Sequence, residues 1–441
     1  MKFPGLILTC ALAAWAGAND TVFIRNADVY PVTAPPMKGV SVLIQDGRIA
    51  DIGAKLAPPK GVKVVDAKGL RVYPGFIDSA TNLGLEEISA VRESVDTGEL
   101  GEFMPQLHAL RSVNPESEHL GVARVNGVTS AITLPGGGGG GGRGGGRGQF
   151  ISGQAALIHT TGWTWEDMAI TPDAAVQLNF PSLGGRGGRG GAVPPEVAEM
   201  LGFSTETGAN ARRTYEEGIA KINQFFDDAR QYKAAKDAHT AGLKTDLKLE
   251  AMIPVLERKV PVAVAASTVE TMKDAIKFAD KQGIHIVIMG PRELGDVGPE
   301  LKKRDIPVIL GRALALPEHE DDSYDSAMAL ANQFYKAGVK FAFGTFTNQF
   351  VRNLPFEAAA AAGFGLPQDE ALKAITITPA QIWGKADLLG SIERGKTADL
   401  IVTNGDPLEI QTRIEHLYIK GQEIPLTNKQ TRLFEKYSAR P

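Results

Sequence analysis

The feature that most limits the fold is a rhythm. Between residues 260 and 376, short apolar runs alternate with longer amphipathic stretches. The runs at 260–266, 284–289, 306–310 and 339–344 are rich in Val and Ile and too short for helices. Stretches at 268–282, 298–304, 324–337, 354–363 and 368–376 have helical patterning. Repeated strand–helix–strand units imply crossover connections, hence a parallel sheet covered by helices. The length available suits a (β/α)8 barrel with insertions.

Two β-rich segments frame this region. Near the start, Val40, Val42 and Ile44 lead into Asp46-Gly47, and Ile49 and Ile52 follow. An Asp-Gly pair between β-rich runs is a hairpin signal. Near the end, residues 390–402 read as a turn and then a strand, and residues 414–424 as a further β segment. Between the two, residues 72–84 (Val-Tyr-Pro-Gly-Phe-Ile-Asp-Ser-Ala-Thr-Asn-Leu-Gly) combine a Pro-Gly loop, a short buried strand and a loop of small and polar residues.

This last stretch resembles the first barrel strand of the amidohydrolase superfamily, P-G-[FL]-I-D-x-H-x-H-x-G, with Pro74, Gly75, Ile77, Asp78 and Gly84 at matching positions. Residues 390–402 are similar to the superfamily's closing signature, G-S-[IL]-E-x-G-K-x-A-D-L-[IV]-V. Residues 351–358 resemble the loop and helix after the eighth strand of imidazolonepropionase-like members. The resemblance implies an α/β fold: a (β/α)8 TIM-like barrel at 73–384, beside a small composite β-sandwich built from 19–72 and 385–441. It also implies metal-dependent hydrolysis of non-peptide C–N bonds in cyclic amides or dipeptide-like substrates.

The residues at the family's metal positions do not suit that chemistry. Amide hydrolysis at neutral pH needs a strong nucleophile, which zinc supplies by lowering the pKa of bound water to about 7. The resemblance puts the ligands at positions held here by Ala80, Asn82, Ala265, Gly290 and Phe346. None is a good zinc ligand, so no metal is expected in the family manner. Zinc or another divalent ion is expected only if other residues rebuild the site. His319, in the acidic run 317–322, is either part of such a cation site or in a solvated loop.

Other candidates carry two readings each. Asp78 is a weak catalytic candidate or a structural hydrogen-bonding residue. Asn82, Thr345, Asn348 and Arg352 are expected to line a ligand pocket, Arg352 pairing with a carboxylate or forming a structural salt bridge. Glu86, Glu87 and Glu93 line a pocket mouth or are simply exposed. Trp163 and Trp165 stack on a ligand or pack on the protein. His159 and His285 are expected to be structural. The resulting expectation is a non-catalytic, small-molecule-binding protein or a partner subunit in a hetero-oligomer with an active relative. The alternative is an active hydrolase with an altered metal site.

Residues 1–18 have a secretory pattern: Lys2, an apolar run at 5–15, and Ala16-Gly17-Ala18. The run is too short to span a membrane. Cleavage would remove Cys10, the only cysteine, leaving a chain without disulfides, as suits a secreted or periplasmic protein with no further membrane contact. A net charge of −4 offers no basic field for nucleic acid. Gly/Arg-rich insertions at 135–148 and 183–191 read as surface loops, with an arginine-bearing lid or a polyanion-binding tract as alternatives.

Overall fold

In the first five strands, Val and Ile residues such as Ile24, Val42, Ile44, Ile49, Val65 and Val72 are buried in one core: β1 (Val22–Val29), β2 (Met37–Gln45), β3 (Arg48–Gly53), β4 (Lys63–Asp66) and β5 (Arg71–Pro74). The computed structural model describes residues 21–136, 149–181, 209–317 and 322–440. The expected signal peptide, all but the first two residues of the 135–148 insertion, the whole 183–191 insertion and His319 lie outside these residues. β2 and β3 are joined by the expected two-residue turn. Asp46 and Gly47 both have positive φ, 51° and 76°, which matches the twist of the paired strands.

Eight strands follow: β6 (Phe76–Thr81), β7 (Val128–Thr133), β8 (Ile151–His159), β9 (Ala169–Asn179), β10 (Val262–Ala265), β11 (Ile286–Met289), β12 (Val308–Leu310) and β13 (Phe341–Phe343). They form one sheet in sequential order. The chain then returns to the first sheet through β14 (Leu400–Thr403), β15 (Ile414–Ile419) and β16 (Gln422–Glu423). β14 pairs antiparallel with β5, Ile401 opposite Tyr73. Both ends of the described chain therefore share one sheet, whose core includes Ile24, Val42, Ile44, Leu400 and Tyr418.

The eight-stranded sheet is not uniformly parallel, as the rhythm implied. β8 runs antiparallel to both β7 and β9. The connection from β8 to β9 occupies only residues 160–168 and contains one short helix, Trp165–Met168. That is less than the dozen or more residues a parallel crossover needs. The rhythm was read from residue 260 onward, and there the strands are parallel.

The sheet nearly closes on itself. Past the end of β13, the Phe346 N–H donates to Ala80 O at 2.6 Å, and the Thr345 N–H donates to Asp78 Oδ1 at 3.1 Å. Outward-facing Val262, Val264, Ile286, Ile288, Val308 and Leu310 pack under the helices. Inward-facing Ile77, Ile132, Leu157, Ala263, Val287 and Ile309 fill the barrel. The helix Val269–Gln282 shows the local logic: Thr268 caps its start, and Gly283 ends it at φ 62°, where L side chains are disfavoured. The C-terminal ends of the parallel strands form the mouth, and the opposite ends form the floor.

Candidate functional site

Asp78 lies on β6 and is fully buried. Its Oδ1 accepts hydrogen bonds from the Ala80 and Thr345 backbone N–H groups, both at 3.1 Å. Its Oδ2 lies 2.5 Å from the Thr345 hydroxyl, whose oxygen is also 3.1 Å from Thr347 O. The Thr345 hydroxyl donates to this carboxyl oxygen and lies within reach of Thr347 O as well. Burial pushes the carboxyl up to about 7, outweighing the hydrogen bonds that pull it down, and the nearby Glu357 charge adds to the rise.

The loop after β6 meets the loop after β13 through two amides. Asn82 Oδ1 accepts from the Asn348 N–H at 2.5 Å, and Asn82 Nδ2 donates to Glu86 Oε2 at 2.6 Å. Asn348 Nδ2 donates to Glu86 O at 2.5 Å. The fold thus brings Asn82, Thr345 and Asn348 together, but their polar groups bond to the protein itself. Arg352 stands further along, half-buried on the turn Val351–Asn353. The nearby stacked guanidinium is that of Arg312, 3.9 Å from the centre of the Phe350 ring.

The residues that the sequence resemblance sets at metal positions do not fit a divalent ion. Ala80 offers a methyl group, and its carbonyl is bonded to Phe346 N. Asn82 has both amide atoms engaged. Ala265 ends β10 with another methyl. A Cβ added to Gly290 would lie 3.7 Å from Phe346 Cζ, so the Phe346 ring reaches from the exit of β13 to the exit of β11. Phe346 holds a left-handed backbone, φ 57°, at a cost of roughly 1–2 kcal/mol. Its hydrogen bond to Ala80 and the packing of its ring on the inward-facing cluster offset that cost. Among the described residues, no group of three or more His, Cys, Asp or Glu gathers to hold a metal.

Several sequence candidates lie away from the mouth. Because β8 is reversed, the segment after it sits at the floor; Trp163 there is 93% exposed and Trp165 packs partly against the core. His285 is exposed at the floor, just before β11. His159 ends β8 at the floor, with Nδ1 3.3 Å from Asp399 Oδ2, both side chains buried. Glu86 bonds Asn82, whereas Glu93 is exposed. Glu357 was not singled out from the sequence. It is 2% exposed, accepts from the Leu314 N–H at 2.8 Å, and is raised by burial. A lone Glu in the alanine-rich helix Leu354–Gly363 was its only sequence signal.

A nearly closed α/β barrel joined to a β-domain made by both chain ends defines an amidohydrolase-like architecture. The chain belongs to the amidohydrolase family, whose pattern it matches over residues 196–426. It is 24% identical to an amidohydrolase named tasK from Hapsidospora irregularis, over 92% of this chain and 43% of that protein. It is 43% identical to a D-hydantoinase from Geobacillus stearothermophilus, over 15% of this chain and 13% of that protein. The chain thus spans less than half the length of these curated relatives. Among solved structures, an amidohydrolase from Thermotoga maritima superposes with a TM-score of 0.77 at 26% identity, over 92% of this chain and 99% of that one.

Proposed function

We propose that this chain is an imidazolonepropionase-like amidohydrolase homologue that does not carry out metal-dependent C–N hydrolysis. It acts instead as a small-molecule-binding protein or as the non-catalytic partner of an active relative, exported to the periplasm or beyond. The observation that carries this reading is Phe346. An aromatic ring stands where the family pattern places a metal-binding carboxylate, and it reaches toward Gly290 at another expected ligand position.

The competing reading is an active hydrolase with an altered site. Asp78 supports it poorly, because a carboxyl with no exposed surface does not touch a substrate. The test is metal analysis of untagged protein purified without chelators, followed by assays on cyclic amides and dipeptides with added zinc or manganese. Substoichiometric metal and no turnover are expected. Near-stoichiometric metal with turnover, abolished in the His319→Ala variant, would install the altered-site hydrolase instead. Export is tested by N-terminal sequencing of protein from the periplasm or medium, where a start at Asn19 is expected and an intact Met1 would refute it.

A further inference from the structure

The last helix, Lys429–Ser438, contributes no buried residue. Among the described residues its polar anchors lie near its start: Asn428 caps it in a reciprocal pair with Thr431, and Arg432 bonds Glu118 at 3.1 Å. Beyond that anchor, Leu433, Phe434 and Tyr437 are 39%, 74% and 48% exposed. Their spacing puts them on one helical stripe. Cations border the stripe: Lys436 and Arg440 lie 5.6 Å and 4.4 Å from the centre of the Tyr437 ring. A short helix gains most of its stability from burying an apolar face, and this one leaves its face in water.

A complementary surface lies beside it. In the loop after β6, Ile88 and Val91 are 58% and 43% exposed. Carboxylates at positions 87, 93, 96 and 99 outnumber the one cation of that stretch, Arg92, while Glu86 bonds Asn82 and Glu102 pairs with Lys221. The helix Glu118–Arg124 joins the two surfaces. Its Glu118 holds Arg432, and His119 Nε2 lies 3.0 Å from Glu87 O. One face of the molecule therefore has a basic apolar half and an acidic apolar half, flanking one short helix.

We infer that this face is the contact between two copies of the chain, related by a two-fold axis. Such an axis sets the last helix of one copy on the acidic loop of the other, and the reverse at once, because a two-fold interface must be self-complementary. Each half supplies the charge the other lacks and covers apolar side chains otherwise left in water. A second copy is the occupant that satisfies both halves together.

Charge reversal tests this directly. One variant carries Lys436→Glu and Arg440→Glu; the other carries Glu93→Lys and Asp96→Lys. Circular dichroism first establishes that both fold. Sedimentation velocity at low salt, over a range of concentrations, should show a dimer for the unmodified chain and a monomer for each variant alone. An equimolar mixture of the variants should regain the dimer, since each reversed half then meets a half of opposite sign. A monomeric unmodified chain, a dimer indifferent to both reversals, or a mixture that stays monomeric would each overturn the inference.

Discussion

The Thr345 hydroxyl lies 2.5 Å from Asp78 Oδ2, joining the first barrel strand to the exit of the last across 267 positions of sequence. The Thr345 N–H reaches the other oxygen of the same carboxyl. This clasp, together with the Phe346–Ala80 backbone bond, stands at the seam where the sheet meets itself. A hydrogen-bonded carboxyl without solvent contact makes that seam sensitive to protonation.

Its pH dependence has a defined sign. The folded pKa of Asp78, about 7, lies above its ordinary 3.8. Below about pH 4 both folded and unfolded chains hold the proton, and its contribution is fully present. As pH rises toward 7 the folded chain retains a proton that the unfolded chain releases. Stability therefore falls through this window, by at most about 1.4 kcal/mol per pH unit. Urea unfolding at about pH 5 and about pH 8 should show a smaller difference for Asp78→Asn than for the unmodified chain. Equal differences would mean that Asp78 does not titrate in this window.

The Asn82 side chain should carry the bond between the two mouth loops. Its Oδ1 accepts from the backbone N–H of Asn348, which survives any change of the Asn348 side chain. Asn82→Ala leaves that buried donor unsatisfied and should cost about 1–3 kcal/mol in urea unfolding. An Asn82→Ala variant as stable as the unmodified chain would show that the Asn82 Oδ1–Asn348 N bond contributes nothing measurable.

Position 346 should invert the usual order of Ala over Gly. Both substitutions lose the packing of the ring, but only glycine accepts φ 57° without a Cβ penalty. Phe346→Gly should be more stable than Phe346→Ala by about 1 kcal/mol. Chemical denaturation that finds the alanine variant more stable would place the backbone elsewhere.

Gly344 should not tolerate a side chain. A Cβ there would lie 2.6 Å from Ala80 Cβ and 2.9 Å from Ile309 Cγ2. Gly344→Ala should destabilise by about 1–3 kcal/mol through overpacking. Adding Ala80→Gly should restore part of that loss, and thermal melts of the two variants would show it. No recovery would mean that Ile309 rather than Ala80 sets the limit.

The strands of the end-to-end sheet were legible from local signals: the Asp46-Gly47 turn, the alternation of Val40, Val42 and Ile44, and the apolar run before Thr403; that the two ends pair was implied only by the resemblance of residues 390–402 to the superfamily's closing signature. The strand–helix rhythm was legible for the same reason. The direction of β8 was not, because an apolar run carries no arrow; only the brevity of residues 160–168 hinted at it. At the mouth, the sequence shows that Phe346 is not a carboxylate. That its ring extends toward Gly290 depends on a backbone turn fixed by Ala80, far away in sequence. The raised carboxyl of Asp78 likewise depends on burial among strands far apart in sequence, which local patterning does not reveal.

The reversed β8 has a consequence for engineering. Because β7 and β8 are antiparallel, the end of β7 and the start of β8 face the same side of the sheet. A foreign domain grafted between Gly136 and Gln149 would leave and re-enter the described scaffold on that side. The short β8–β9 link at the other end has no such latitude, since it is braced against the β-domain through Lys420 and Asp167. The barrel thus has one edge open to cargo and one edge locked.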